Sequence, residues 1–248
     1  MNNLKITILG SGGCINNGLP YNSFIINDNF LIEVPPDIML SLKTLDVDIN
    51  LIDTIFISHL HGDHTFGLPF LIINRWMKSE QKKMHTPLTI LGPNGIERYV
   101  KKITEDAFTT ANPCYKWLEQ NITYSTIQPD VAMTLENLKL SCFGLRHVIE
   151  SYGFLLENRD ETIFSYIADT TWCRQVEKIL ERRPKIVFID MNGGNSNVHI
   201  SLKEVIEKGL PITQGKTTYY GMHLAEEFEH RGSHILCGKQ GEEIVIRY

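Results

Sequence analysis

Three imidazoles and a carboxylate fall within six residues in Ser58-His59-Leu60-His61-Gly62-Asp63-His64. Nitrogen and carboxylate ligands of this kind suit zinc best, and manganese or iron also accept them. Residues two apart on an extended chain point the same way, so His59 and His61 can reach one ion. Gly62 lets the chain turn, which lets Asp63 and His64 face a second ion beside the first. The chemistry of such a pair is hydrolysis, by a water whose pKa two adjacent divalent cations lower towards neutrality. The bland alternative is a solvated polar loop, and the buried apolar run Asp53–Ser58 directly before it argues against that.

One loop does not complete two coordination shells. His147 sits just after an apolar run, Leu138–Leu145, and Asp169 ends another, Thr162–Ala168. His223 ends the run Lys216–Met222, and His199 follows the Gly/Asn-rich stretch Asn192–Asn197. All four fall at strand ends or in adjoining loops, where layered α/β proteins gather functional residues. Each also has a plainer reading: Asp169, standing before Thr170 and Thr171, is equally a helix N-cap. His85, His230 and His234 lie in polar surroundings and receive no role.

The elements that must position these groups are legible as runs of 2.0 and 3.6 periodicity. Strands are predicted at Leu4–Leu9, Ser23–Asn27, Phe30–Val34, Asp53–Ser58 and Pro87–Leu91. Further strands are expected at Leu138–Leu145, Tyr152–Glu157, Thr162–Ala168, Lys185–Asp190, Lys216–Tyr220, His234–Cys237 and Glu242–Arg247. Helices are predicted at Asp37–Leu45, Phe66–Lys78, Asn94–Ala107 with Asn94 as cap, Thr171–Glu181, Leu202–Lys208 and Leu224–Glu229. Thr109–Asp130 reads as loop with one strand. Strand-rich runs interleaved with amphipathic helices point to a layered α/β fold with helices outside the sheets.

The 248 residues are 42% hydrophobic and 21% charged, an ordinary globular composition that excludes a disordered or fibrous chain. A formal net charge of -5 disfavours non-specific grip on polyanions, although bound cations reverse the potential locally. Five scattered cysteines, at 14, 114, 142, 173 and 237, read as reduced thiols of a cytoplasmic protein. Met1–Gly10 lacks a signal-peptide pattern and no apolar run reaches membrane-spanning length. Without repeats, low-complexity segments or linkers, residues 1–248 are expected to form one domain.

The motifs resemble the metallo-β-lactamase fold superfamily over almost the full length. Gly10-Ser11-Gly12-Gly13 looks like its first glycine turn, and His59-Leu60-His61-Gly62-Asp63-His64 matches its signature. Phe66-Gly67-Leu68-Pro69-Phe70 is similar to its phosphodiesterase-like members. His147 with Ser151-Tyr152-Gly153-Phe154 resembles the third-histidine motif, and Ala168-Asp169-Thr170 the bridging-aspartate motif. His199-Ile200-Ser201 resembles the auxiliary histidine of the ribonuclease Z and phosphonate-pathway cyclic phosphodiesterase branches. The resemblance implies an αββα four-layer sandwich with two mixed sheets between helices. It further implies one divalent ion on His59, His61 and His147, a second on Asp63, His64 and His223, and Asp169 bridging them. Zn2+ is the expected metal, with Mn2+ or Fe2+ as alternatives.

The 22 residues from His147 to Asp169 are too few for the long arm by which ribonuclease Z holds tRNA, so a small or cyclic phosphodiester is the expected substrate. The phosphonate-pathway relative carries a cysteine-rich zinc site near its N-terminus; here only Cys14 falls there, and no such site is expected. Glu33 stands where an Asp is more usual, and His223 lies between Gly221-Met222 and Leu224-Ala225 instead of in a Thr-His-x-Ser pattern.

In the mechanism this implies, Asp63 and His199 are the catalytic candidates. His199 either stabilises the phosphoryl oxygens, protonates the leaving alkoxide or only orients a ligand. Asn192–Asn197 and Ser151–Phe154 are expected to border the pocket. Rival readings are ribonuclease Z-like RNA processing, hydrolysis of a lactone, thioester or β-lactam, a metal- or nucleotide-binding module without turnover, and a di-iron oxygen or nitric-oxide reductase. No membrane association is expected, and the apolar residues after His64 suit a core or a homodimer interface equally.

Overall fold

A computed structural model describes residues 2–82, 87–129, 131–192, 197–230, 232 and 234–248. The chain opens with three antiparallel strands, β1 (Asn3–Gly10), β2 (Ser23–Ile26) and β3 (Phe30–Ile32). Helix α1 (Ile38–Thr44) then crosses to β4 (Thr54–Phe56), which lies parallel to β3. The single turn α2 (Gly62–Thr65) and the long helix α3 (Leu68–Lys82) lead to β5 (Leu88–Gly92). Helices α4 (Ile96–Phe108) and α5 (Pro113–Asn121) lead to β6 (Ile122–Thr126).

The second half repeats the scheme. A meander of β7 (Ala132–Leu135), β8 (Leu138–Leu145), β9 (Ser151–Glu157) and β10 (Thr162–Ile167) is antiparallel. Helix α6 (Arg174–Glu181) crosses to β11 (Ile186–Asp190). Next comes a helical stretch of α7 (Leu202–Glu204), a π turn (Val205–Gly209) and α8 (Leu210–Thr213). The chain finishes with β12 (Thr218–Met222), β13 (Ile235–Cys237) and β14 (Glu243–Arg247). The sheet orders are β14-β1-β2-β3-β4-β5-β6 and β13-β12-β11-β10-β9-β8-β7. Short turns join β2 to β3 and the strands of the β7–β10 meander, whereas residues 11–22 link β1 to β2; the parallel part needs longer crossovers, most of them helical.

Aromatic side chains from both sheets, among them Phe24, Phe56, Phe154, Phe164, Tyr166 and Phe188, fill the space between them. A second apolar cluster joins the outer face of the first sheet to α1, α3, α4 and α5, and a third joins the second sheet to α6 and residues 202–213. The result is the expected αββα sandwich. The mixed sheets place the carboxyl ends of β3, β4, β10, β11 and β12 along one rim, the position where α/β sheets present ligand sites. Among the described residues no helix is long and apolar enough to cross a membrane.

Several sequence expectations need correction. Leu224–Glu229 is not a helix, because its backbone is already engaged: Leu224 N–H donates to Ser11 O, and Gly13 and Asn17 donate to Leu224 O and Ala225 O. Asn94 does not cap α4; Gly95 does, in the left-handed conformation and without a side-chain bond. Residues 109–130 hold both α5 and β6, and the overlooked signal was Asn112-Pro113, a capping side chain that accepts from Cys114 N–H followed by proline in the first turn. Strand β7 was also missed. The N-cap of α6 is Cys173, so the capping alternative for Asp169 falls away. The apolar residues after His64 divide: Leu68, Leu71 and Ile72 are buried, whereas Phe66, Phe70 and Met77 are about half exposed.

Candidate metal centre

The loop after β4 holds His59 buried, leaves His61 extended at φ -71° and ψ 153°, and closes with α2, whose one turn carries Asp63 and His64. Tyr152 N–H donates to Ser58 O at 3.0 Å, tying this loop to the second sheet. His147 follows β8, Asp169 follows β10 and His223 follows β12, so four separate stretches of backbone converge on one point.

The nitrogens sort into two sets. His59 Nε2 lies 3.0 Å from His61 Nδ1, which lies 3.5 Å from His147 Nε2. Tetrahedral zinc with bonds of about 2.0–2.1 Å separates its nitrogens by roughly 3.3 Å, so this spacing suits a shared cation. Beside it, Asp63 Oδ2 lies 3.1 Å from His223 Nε2 and 3.5 Å from His64 Nε2. The Asp169 carboxylate stands between the sets, 3.8 Å from His59 Nε2, 3.5 Å from His64 Nε2 and 3.3 Å from His223 Nε2. Asp169 Oδ1 and both ring nitrogens of His64 are buried without a hydrogen-bond partner. Buried polar atoms rarely go unpaired, and a cation is the partner such a donor set fits.

The outer nitrogens of most rings are held from behind, which fixes ring orientation. Ser58 Oγ lies 2.9 Å from His59 Nδ1, and Val198 O lies 3.3 Å from His147 Nδ1. Glu33, fully buried, brings Oε1 within 3.5 Å of His64 Nδ1 while accepting from Tyr166 O–H at 3.0 Å and from Ser58 N–H. Both Glu33 and His223 hold positive φ, 59° and 56°, a strained backbone that the surrounding contacts must maintain. Gly13 is one such contact: a Cβ there would lie 2.4 Å from Asn192 Nδ2 and 2.9 Å from His223 O.

Asp190 is the site residue that the sequence reading missed. It is 1% exposed at the end of β11, and its Oδ2 lies 2.7 Å from His199 Nδ1 and accepts from Thr170 N–H. Its Oδ1 accepts from Asn192 N–H and lies 3.7 Å from His223 Nδ1. The available signal was an acid directly after a buried apolar strand, the same placement as Asp169. His199 itself sits with its ring 5.6 Å from that of His147 and 5.0 Å from that of His223. Ser151–Phe154 runs behind the cavity instead of along it, with Ser151 Oγ donating to Asp169 O. The expectation for Asn192–Asn197 rests on residues 193–196, which lie outside the described residues, as does His85.

Without a cation the two sets are electrostatically unlike. Burial, reinforced for His59 by the neighbouring His64, holds His59 well below the ordinary histidine value; burial likewise lowers His61 and His147. Burial thus favours their neutral form, the form in which an imidazole can bind a cation. Burial also opposes a charge on His64 and His223, but Asp169 and Glu33 outweigh it at His64, and Asp169, Asp190 and Asp63 carry His223 up to about 10. Burial presses Asp63 and Asp169 upward, yet the adjacent imidazoles hold Asp63 at about 2 and Asp169 well below the carboxylate range. A cation entering the Asp63–His64–His223 set must displace protons. Glu33→Gln keeps the bond to Tyr166 but removes the charge behind His64. We expect it to weaken the second metal equivalent by roughly 10–100-fold in chelator competition, and an unchanged affinity would end that role for Glu33.

The cavity over these residues measures about 590 Å³ and is lined by Tyr21, Phe66, Val148 and Val198 beside the histidines and acids. Human tRNase Z short form superposes with TM-score 0.73 at 16% identity, covering 98% of this chain and 100% of that chain. The metallo-β-lactamase fold protein YhfI from Bacillus subtilis gives 0.77 at 15% identity, over 98% and 100%. A diphosphatase from the PhnP family gives 0.73 at 16%, over 98% and 97%. These likenesses show the fold. In sequence, ribonuclease Z of Staphylococcus carnosus is 35% identical over 106 residues, 43% of this chain and 31% of that protein. Ribonuclease BN of Citrobacter koseri is 36% identical over 110 residues, 44% of this chain and 32% of that protein. The chain thus spans under a third of the length of these curated relatives. The sequence profile of one family covers nearly everything, residues 4–241, and by that match the chain belongs to the anti-Pycsar protein Apyc1 family within the metallo-β-lactamase fold.

Proposed function

We propose that this chain is a metal-dependent phosphodiesterase acting on a small or cyclic phosphodiester. His59, His61 and His147 hold one divalent ion, Asp63, His64 and His223 hold the other, and Asp169 bridges them. Zn2+ is the favoured metal, with Mn2+ or Fe2+ as alternatives. The observation that carries this reading is the Asp169 carboxylate, standing within 3.8 Å of ligands from both sets with one oxygen unpartnered. Bound there, two divalent ions supply an activated water nucleophile and offset the charge of the reacting phosphoryl oxygens.

The protein groups do the rest. Asp63, ionised at any working pH, accepts a hydrogen bond from the attacking water and aligns it. Burial opposes the His199 cation, but Asp190 outweighs it and raises His199 above its ordinary value, which suits a proton donor to the departing alkoxide. Asp190 also fixes which nitrogen faces the cavity. A cavity of about 590 Å³ is the size of a nucleotide-scale ligand.

Cleavage of RNA is the second reading, supported by the ribonuclease names of the sequence relatives. The connection from His147 to Asp169 is the plain hairpin β9–β10, closed by residues 158–161, and this favours the smaller substrate. The test is hydrolysis of bis(p-nitrophenyl) phosphate by protein loaded with zinc or manganese, washed, and assayed for metal. Two equivalents and turnover that a chelator abolishes are expected; protein that retains no metal sinks the reading.

A further inference from the structure

We propose that Phe66 is the specificity-determining residue of this cavity: its ring is the apolar wall against which a planar, uncharged group attached to the substrate's phosphate rests. The inference builds on the phosphodiesterase reading and concerns what the enzyme selects, not how it cleaves.

Phe66 ends α2, where its N–H donates to Gly62 O at 2.9 Å. One side of its ring packs against Gly62, so that a Cβ there would fall 2.5 Å from Phe66 Cε2 and 2.8 Å from Cδ2 and Cζ. The missing side chain at 62 is what seats the ring, and Gly62 lies between the ligands His61 and Asp63. The ring is therefore seated in the cavity lining by the same loop that carries the proposed metal ligands.

Packing does not account for this side chain. Phe66 is 54% exposed and belongs to none of the three apolar clusters, while Leu68 and Leu71, two and five residues on, are fully buried. Val148, 64% exposed on the loop after His147, also lines the cavity, so a planar group would be met by apolar surface from more than one loop. Among the described residues no lysine or arginine lines the cavity. A second phosphate or a polyanionic strand would find no fixed cation there beyond the metal pair and His199. The chemistry offered is one anionic phosphoryl group beside one flat apolar group, for which an aromatic face is the natural partner.

The test reads binding alone, by calorimetry on the metal-loaded protein with phenylphosphonate and methylphosphonate, which differ only in the ring. Wild type should bind phenylphosphonate about tenfold more tightly. Phe66→Leu should bring the two affinities together, and Phe66→Trp should keep them apart. Equal affinities in wild type, or an unmoved ratio in Phe66→Leu, overturn the proposal. If Phe66→Leu fails to retain two metal equivalents, Phe66→Trp decides: a preserved preference supports the wall, and a lost one removes it. Because no bond is cleaved, a failure of ester hydrolysis strikes the phosphodiesterase reading while leaving this ratio readable.

Discussion

Asp169→Ala is expected to lower metal-dependent turnover at least about a thousandfold, because the metal contribution is several kcal/mol and each 1.36 kcal/mol is a factor of ten. The size follows from position. Asp169 approaches His59 of one set and both His64 and His223 of the other, so its loss opens both at once. Metal analysis should find fewer than two equivalents after washing. A variant that keeps both ions and wild-type turnover would remove Asp169 from the bridge. Stability of the metal-free protein carries a second signature with a definite sign. His223 is raised from 6.5 to about 10, Asp169 being the leading favourable charge. Stability from that shift is fully present below about 6.5 and fades as pH rises through 10, so the metal-free variant should be most destabilised, relative to wild type, on the low side of that window.

His199→Ala should cost about 10²–10⁴-fold on substrates whose leaving group is an alkoxide, the usual worth of a positioned general acid. The loss should shrink sharply for p-nitrophenyl esters, whose leaving group departs without a proton. An equal loss on both would show that His199 steadies the phosphoryl oxygens instead. The donor must be protonated to act, so the rate should fall as pH rises through the His199 pKa. Asp190 is the anion that raises that pKa against burial. Asp190→Asn should therefore move the alkaline limb of the profile to lower pH, and a limb that stays in place would detach Asp190 from this role.

Legibility followed range. The cluster from His59 to His64 is a local pattern that six residues suffice to display, and the strands beneath it declare themselves by alternation. Glu33 was visible only as an unusual residue, because its work depends on Tyr166, 133 residues away, and on His64. The Leu224–Glu229 pattern looks helical, yet the glycine loop at 11–17 takes the hydrogen bonds that a helix would have used. Asn94 is a good cap by type but lost the position to Gly95, whose left-handed backbone no side chain was needed to support. These are contests between local preference and tertiary pairing, and tertiary pairing won.

The amino-acid sequence alone determined the candidate ligand types, the motif that would anchor them and a layered α/β architecture, since side-chain chemistry and hydrophobic period are properties of neighbours along the chain. Tertiary structure alone decided that His147, Asp169 and His223 close on that motif, that Asp190 backs His199, and that Phe66 faces the cavity instead of the core. Those facts depend on the carboxyl ends of strands from two sheets meeting along one rim, and distance in space is fixed by sheet order and packing, which periodicity does not encode.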